Sequence, residues 1–250
     1  MLDSFSLCDI VNHYLRPPHM TLKTQPHEIV HLNGTTFTLL GTVHVSPVSA
    51  NTVKKELRSG KYDAVAIELC EKRAKVFKDK TPRPTFSWWK SFRQRGFKAT
   101  LLSNALSNLY KAFEINHGLD SGGEFKAAMN VSEARKIPCI LIDQDAEITA
   151  QRASANVGVV ASVFTFLLHR VASWAIKHIP TKELMDKLEE LKHNPDKYTN
   201  KAPLNRKAII DERDAYMVNE LRKLTGYKNV LVVIGAGHLQ GMTKLLKENA

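Results

Sequence analysis

The sequence has little cysteine, and its first residues lack the features of a secretory leader. Cys8, Cys70 and Cys139 stand far apart, so neither a disulfide framework nor a zinc-thiolate site is indicated. The first ten residues carry Asp3 and Asp9, where a secretory leader has a basic start and a continuous apolar run. We therefore expect a reducing, cytoplasmic compartment and no signal peptide.

Long hydrophobic runs are also scarce. Residues 153–169 are free of charged side chains, but they include Ser162 and Thr165 and stand at the short limit for crossing a bilayer. We favour a buried or interface helix here over a membrane span. The sequence leaves open whether residues 153–179 form a homodimer contact.

Acidic residues are scarce in one segment of this basic chain, which has a formal net charge of +11. Between Lys72 and Lys111, Asp79 is the single acidic residue, and Phe86, Trp88, Trp89, Phe92 and Phe97 are interleaved with basic ones. Three interpretations stay open: a solvated basic helix whose aromatic stripe faces the core, peripheral contact with an anionic membrane, and contact with nucleic acid, the least favoured partner.

Apolar runs of strand length alternate with helix-like stretches. The strand-like runs are residues 35–40, 64–69, 137–142 and 229–234, and the helix-like stretches are 49–58, 124–136 and 208–224. Near-continuous apolar strands are typical of a sheet covered on both faces. We predict an α/β fold with a central sheet flanked by helices.

The domain prediction follows from the same pattern. Residues 1–29 contain three prolines and are predicted as an irregular N-terminal arm with a short helix near residues 9–15. Residues 30–250 are predicted as a single α/β domain. Helical insertions are expected at about residues 80–113 and 153–192, the second ending at the loop His193-Asn194-Pro195.

Two apolar runs end in the same motif, Gly-x-x-His, at Gly41–His44 and Gly235–His238. Glu68 interrupts a third apolar run. Ligands of open α/β sheets collect at the carboxyl ends of the strands, so these side chains could converge there. Two imidazoles and a carboxylate suit zinc, manganese, cobalt or iron, and a bound ion with an open position can activate water for hydrolysis.

Each of these residues also has an ordinary structural interpretation. A histidine after a single Gly-x-x-His is most often a surface or hydrogen-bonded residue. Glu68 could form a salt bridge with Arg73 or Arg152. Asp145 is predicted to cap a helix, whereas the role of Asp143 stays open.

Six segments in order resemble the TraB/PrgY family of pheromone shutdown proteins, to which the TIKI and GumN proteins are more distantly related. The similarity covers roughly residues 37–245. It is carried by Leu40-Gly41-Thr42-Val43-His44-Val45-Ser46, Ala66-Ile67-Glu68-Leu69-Cys70-Glu71-Lys72-Arg73, Gly123-Glu124-Phe125, Leu141-Ile142-Asp143-Gln144-Asp145, Asp211-Glu212-Arg213-Asp214 and Gly235-Ala236-Gly237-His238-Leu239-Gln240-Gly241.

The resemblance implies a compact α/β fold and a metal-dependent peptidase or other hydrolase that acts on a peptide. The metal ligands would be His44, Glu68 and His238, with manganese, cobalt or zinc as the ion. The catalytic candidates would be Glu68 or Glu124 as general base, with Arg73 or Arg152 on the substrate or the developing oxyanion. Substrate-binding or supporting roles would fall to Asp143, Glu212 and Arg213.

The chain departs from the family pattern at Gln144, where relatives often carry an arginine, so one positive contact is expected to be missing. Bacterial relatives often continue into membrane-spanning helices, and membrane integration is not carried over. The alternatives to catalysis are a protein that sequesters a peptide without turnover, a haem-binding protein, and a regulatory protein associated with a membrane surface through residues 72–111.

Overall fold

The computed structural model describes residues 25–44, 46–78, 87–117, 121–155, 157–186 and 210–248. The predicted helix near residues 9–15, Phe86 and the loop at residues 193–195 lie outside the described residues. In chain order the elements are β1 (His27–Leu32), β2 (Thr35–Thr42), α1 (Pro47–Arg58), β3 (Ala64–Ile67), α2 (Glu71–Lys78), α3 (Trp88–Arg95), α4 (Phe97–His117), α5 (Gly123–Arg135), β4 (Cys139–Leu141), α6 (Ala146–Ala155), α7 (Val159–Ile176), α8 (Glu212–Arg222), β5 (Asn229–Gly235) and α9 (Leu239–Lys247).

The five described strands form one mixed sheet in the order β1-β2-β5-β3-β4. The β1–β2 pair is antiparallel, and the β2–β5, β5–β3 and β3–β4 pairs are parallel. Helices cover the sheet on both faces. The predicted α/β class is therefore confirmed.

The first strand corrects the predicted arm, which was expected to run to residue 29. β1 begins at His27 and pairs with β2 along its whole length. The two strands are joined by Asn33 and Gly34, whose φ angles of 50° and 80° are those of a tight hairpin turn. The sequence showed this turn signal, but the exposed polar residues of an edge strand hid the strand before it.

The core lies on both faces of the sheet because successive strand side chains point in opposite directions. On β5, Val230, Val232 and Ile234 pack toward α8 and α9. The alternate residues Leu231 and Val233 pack toward α1 and α5. All five are fully buried, which explains why this strand reads as a continuous apolar run.

The parallel strands end at one edge of the sheet. Thr42, in β2, lies opposite Gly235 in β5, while Ile67 in β3 lies opposite Val233 in β5 and Leu141 in β4. The segments that follow these four strands therefore leave the sheet side by side. Both Gly-x-x-His motifs belong to this edge.

The aromatic side chains of the basic segment do not face the core. Trp88 and Phe92 are each 47% exposed and Trp89 is 70% exposed, whereas Ser91 of α3 is buried. The interpretation of a core-facing aromatic stripe is wrong for these three residues. The physical reason is that α3 is a short helix that buries the small polar side chain of Ser91 and leaves these aromatic side chains outside.

A candidate functional site at the carboxyl edge of the sheet

His44 stands just beyond β2, held by its backbone and its ring. Its carbonyl oxygen accepts a 2.6 Å hydrogen bond from the Gly122 N–H, and its ring lies 5.3 Å from that of Phe125. Nδ1 is 2.6 Å from Oε1 of Glu124, in the first turn of α5. The Glu124 carboxylate is fully buried, whereas the His44 side chain is 29% exposed, so the imidazole is the accessible member of the pair.

Glu68 follows β3 directly and carries the most heavily shared carboxylate of the site. Its N–H donates to the Val233 carbonyl, which extends the β3–β5 ladder by one residue. Oε2 accepts the Gly235 N–H at 2.6 Å, and Oε1 accepts from Arg213 and lies 3.3 Å from His238 Nε2. Its salt bridge is thus with Arg213, which corrects the expected partners Arg73 and Arg152; Arg152 is held by another carboxylate.

Gly235 lets the two Gly-x-x-His motifs and Glu68 meet. A Cβ at this residue would lie 3.1 Å from Nε2 of His44 and 3.4 Å from Oε2 of Glu68. Both functional atoms therefore border the same small volume above the glycine. A side chain here would push them apart, which gives the first glycine of the second motif a steric role.

Arg213, on α8, lies between the other charged groups. Its Nε and Nη2 donate to the two oxygens of Asp143 at 3.0 and 2.9 Å, and Nη2 also donates to Glu68. Nη1 is 3.1 Å from Nε2 of His238. A planar guanidinium can satisfy several acceptors at once, so Arg213 balances two buried carboxylates.

His238 has a carboxylate partner that the sequence analysis missed. Its Nδ1 lies 2.5 Å from Oδ1 of Asp214, which follows Arg213 directly on α8. Gly241 makes room for this carboxylate, because a Cβ there would lie 2.0 Å from Asp214 Oδ2. The signals available in the sequence were the charged run Asp211–Asp214 and the glycine three residues after the second histidine.

Burial and neighbouring charges shift the pKa values of the site residues in opposite directions. Burial by itself would raise the pKa of Glu68, but the charges of His238 and Arg213 lower that pKa well below its usual value. Burial by itself would lower the pKa of His238, but Glu68 and Asp214 raise it to about 9. The pKa of His44 is raised against its burial by Glu124.

The Nε2 atom of His238 accordingly has two states. When protonated, it donates to Oε1 of Glu68, 3.3 Å away. When neutral, it accepts from Nη1 of Arg213, 3.1 Å away. With its pKa near 9, the protonated state dominates at neutral pH.

Two predicted site residues are not brought to this cluster. Arg152 and Glu212 pair with each other, Nη1 to Oε2 at 3.0 Å, and the side chain of Arg152 is 56% exposed. Neither contacts His44, Glu68 or His238 in the described part of the chain. Their pair instead connects α6 to the start of α8.

The remaining predicted residues lie at or beside the cluster. Arg73, 42% exposed, approaches Asp143 at 3.9 Å and is the outermost positive charge. Asp145 accepts the Glu147 N–H at 2.9 Å, which confirms its predicted capping of α6. Gln144, the residue that departs from the family pattern, is buried and donates to Thr149.

The donor atoms suit a divalent ion by their chemistry. His44 and His238 each present Nε2 and have Nδ1 held by a carboxylate, which is the arrangement that orients metal-binding histidines. A carboxylate, Glu68, lies between the two imidazoles. As they stand, the described residues hold no group of three such side chains arranged around a metal position. Binding an ion here would require that Arg213 Nη1 leave Nε2 of His238 and that this nitrogen lose its proton.

The fold and the site define an α/β protein with two histidine–carboxylate pairs at the carboxyl edge of its parallel strands. Comparison with protein families agrees with the resemblance noted in the sequence: the model of the TraB/PrgY/gumN family matches residues 27–250. The chain belongs to this family.

Two relatives show the range of the family. An uncharacterized protein of Methanocaldococcus jannaschii is 28% identical over 219 residues, which cover 84% of this chain and 53% of that protein. The TraB domain-containing protein of Homo sapiens is 24% identical over an alignment of 277 positions, which covers 97% of this chain and 71% of that protein. The chain thus spans about half the length of the archaeal relative.

Proposed function

We propose that the site is the centre of a metal-dependent hydrolase that acts on a peptide. The observation that carries the proposal is the paired geometry: each histidine has Nδ1 bound to a buried or nearly buried carboxylate. Glu68 lies beside Nε2 of His238 and borders, with Nε2 of His44, the same volume above Gly235. His44, Glu68 and His238 would hold the ion, which supplies Lewis acidity and lets water attack near neutral pH.

Glu124, the carboxylate paired with His44, is the best candidate for the general base. Glu68 is a weak base because its pKa is held well below the usual value and its oxygens already accept hydrogen bonds. Oε2 of Glu124, in contrast, is buried without a hydrogen-bond partner. Such an atom can take a proton relayed by a polar group in the site.

We assign recognition of the substrate to Arg73. It is the exposed positive charge beside Asp143, and its side chain reaches solvent. A guanidinium binds carboxylates and polarised carbonyls through paired N–H donors. We therefore assign Arg73 to a peptide carboxylate or to the developing oxyanion, and Arg213 to positioning Glu68 and Asp143.

The first experiment measures metal binding directly. Titration of the purified full chain with Mn²⁺, Co²⁺ and Zn²⁺, followed by calorimetry, should show one ion per chain. His44→Ala should abolish binding, and Glu124→Gln should weaken it about tenfold or more because the Nδ1 partner orients the ring. His31→Ala is the matched control, since His31 is an exposed histidine bonded to Thr36.

A second experiment follows peptide cleavage by mass spectrometry. The metal-loaded wild type should cleave members of a defined peptide mixture, and His44→Ala and His238→Ala should not. Unchanged cleavage in both variants, or wild-type protein without bound metal, would overturn the proposal.

The second candidate function is stoichiometric peptide capture without turnover. The contacts of Arg213 favour it, because the chain itself already supplies the cation that balances Glu68 and Asp143. In that case the same mass-spectrometric assay should recover the bound peptide intact and in a fixed ratio to the protein. Arg73→Ala should then weaken capture while leaving the fold unchanged.

A further inference from the structure

The amphipathic pattern of α7 is inverted relative to that of an ordinary helix in water. Its outward stripe is apolar at helical spacing, with Val160, Phe164, Leu167, Leu168, Val171 and Trp174 between 48% and 83% exposed. Its buried side includes the polar residues Ser162 and Thr165, which are 0% and 2% exposed. A helix surrounded by water buries its apolar stripe instead, so the outward face of α7 is unlike a solvated surface.

The contact between α7 and α4 agrees with this inversion. The two helices pack along each other. Among the α4 side chains whose burial is described, the buried ones are Leu101 and five small or polar residues, Ala99, Thr100, Asn104, Ala105 and Ala112. Small and hydroxyl-bearing residues between helices are typical of pairs whose outer surfaces meet lipid. By length and composition α7 is also apolar enough to cross a bilayer, a criterion that core helices pass as well.

The neighbouring helix α3 extends the same surface. Trp88 of α3 meets Phe166 of α7 edge-on, with ring centroids 6.0 Å apart. Next to it Trp89 is 70% exposed, with the Arg93 guanidinium 5.9 Å from its ring. All three tryptophans of the chain, at positions 88, 89 and 174, are exposed on this surface. Tryptophan is enriched where a protein meets the membrane–water interface.

The charges of α3 and α7 are of one sign. Neither helix contains an aspartate or glutamate, whereas Lys90, Arg93 and Arg170 are exposed among the apolar side chains. In a symmetric dimer through this face, like charges would meet. An anionic surface would pair with them, and long basic side chains can reach phosphates while the stripe beside them enters the acyl region.

We propose that α3 and α7 form a membrane-docking surface, on which the protein binds anionic phospholipid bilayers by its apolar stripe and basic side chains. This surface differs from the one suggested by residues 72–111 alone. It includes α7, and it excludes Lys72, whose ammonium is paired with Asp145 and Glu147 at the start of α6. The docking is independent of the hydrolase proposal.

The test uses the full chain, its own tryptophan fluorescence and vesicles of two compositions. With vesicles of phosphatidylcholine and about one third phosphatidylserine, the emission should shift to the blue and the protein should co-sediment at physiological salt. With phosphatidylcholine alone the affinity should fall at least about tenfold, since each basic residue near an anionic surface contributes about fivefold.

Two variants separate docking from nonspecific attraction. Val160→Glu/Phe164→Glu changes the stripe without touching a tryptophan and should reduce vesicle binding at least about tenfold. Ile29→Glu/Tyr216→Glu makes the same change in charge at two other exposed apolar residues, 50% and 41% exposed, and should bind like wild type.

Four results would overturn the proposal. One is no co-sedimentation at physiological salt. Another is binding without a blue shift, or binding that both variants lose equally, because attraction by charge alone predicts that outcome. The last is a dimer in sedimentation equilibrium. Its tryptophan emission would already be blue-shifted without vesicles, and Val160→Glu/Phe164→Glu would dissociate it, because a second copy would then occupy the surface.

Discussion

The sheet-edge site and the α3–α7 surface reverse the usual placement of side chains in opposite ways. At the sheet edge, Glu68, Arg213 and His238 are charged and nearly excluded from water. On α7, large apolar side chains such as Val160 are exposed to solvent. The buried charges are tolerated because each has partners within the chain, whereas the exposed apolar stripe has no such compensation among the described residues. We therefore expect substitutions at the site to affect folding strongly and those on the surface weakly.

The largest effect on stability should come from Arg213→Met. It leaves the carboxylates of Glu68 and Asp143 buried without their main counter-charge, so the free energy of unfolding should fall by about 3 to 5 kcal/mol. Arg152→Met removes an exposed ion pair and should change it by less than about 1 kcal/mol. Urea denaturation of both variants measures the difference, and equal losses would contradict the contrast between buried and exposed charges.

The second largest effect concerns pH and His238. Because the folded pKa is raised from 6.5 to about 9, the stabilisation is fully present below pH 6.5 and is lost as the pH rises through 9. The shift corresponds to about 3 kcal/mol. The difference in unfolding free energy between wild type and His238→Gln should therefore shrink between pH 6 and pH 10, and a constant difference would show that His238 is not charged in the fold.

Gly241 should be the next most sensitive position. Gly241→Ala places a Cβ 2.0 Å from the present position of Asp214 Oδ2, so the carboxylate must move from His238. We expect a loss of about 1 to 3 kcal/mol in unfolding free energy and a lower pKa of His238, measured by NMR titration. The control is Gly237→Ala, whose Cβ would only meet Ile210 at 3.9 Å, an ordinary contact.

The smallest effect is expected on the apolar surface. Trp89→Ser removes a side chain that is 70% exposed, so the free energy of unfolding should change by less than about 0.5 kcal/mol. A thermal unfolding curve suffices as the measurement. A loss of several kcal/mol would mean that the tryptophan is packed in the folded protein and not available to a partner.

The sequence predicted the α/β class, the strands β2, β3, β4 and β5, and the capping by Asp145. These features depend on local patterns, namely apolar runs, turn residues and a carboxylate two residues before the helix N–H that donates to it. It missed β1, because an edge strand has few buried side chains to give it a pattern. It also missed Asp214, because a carboxylate on a helix looks the same whether it faces solvent or a histidine.

What the sequence by itself determined is the positions of chemistry-bearing residues relative to strand ends: His44 after β2, Glu68 after β3 and His238 after β5. What only the tertiary structure decided is their partners. The parallel order β2-β5-β3 brings the three strand ends together, and α8 inserts Arg213 and Asp214 between them. Partners depend on contacts across 24 to 167 residues of chain, as for His238–Asp214 and Glu68–Gly235, which no local periodicity encodes.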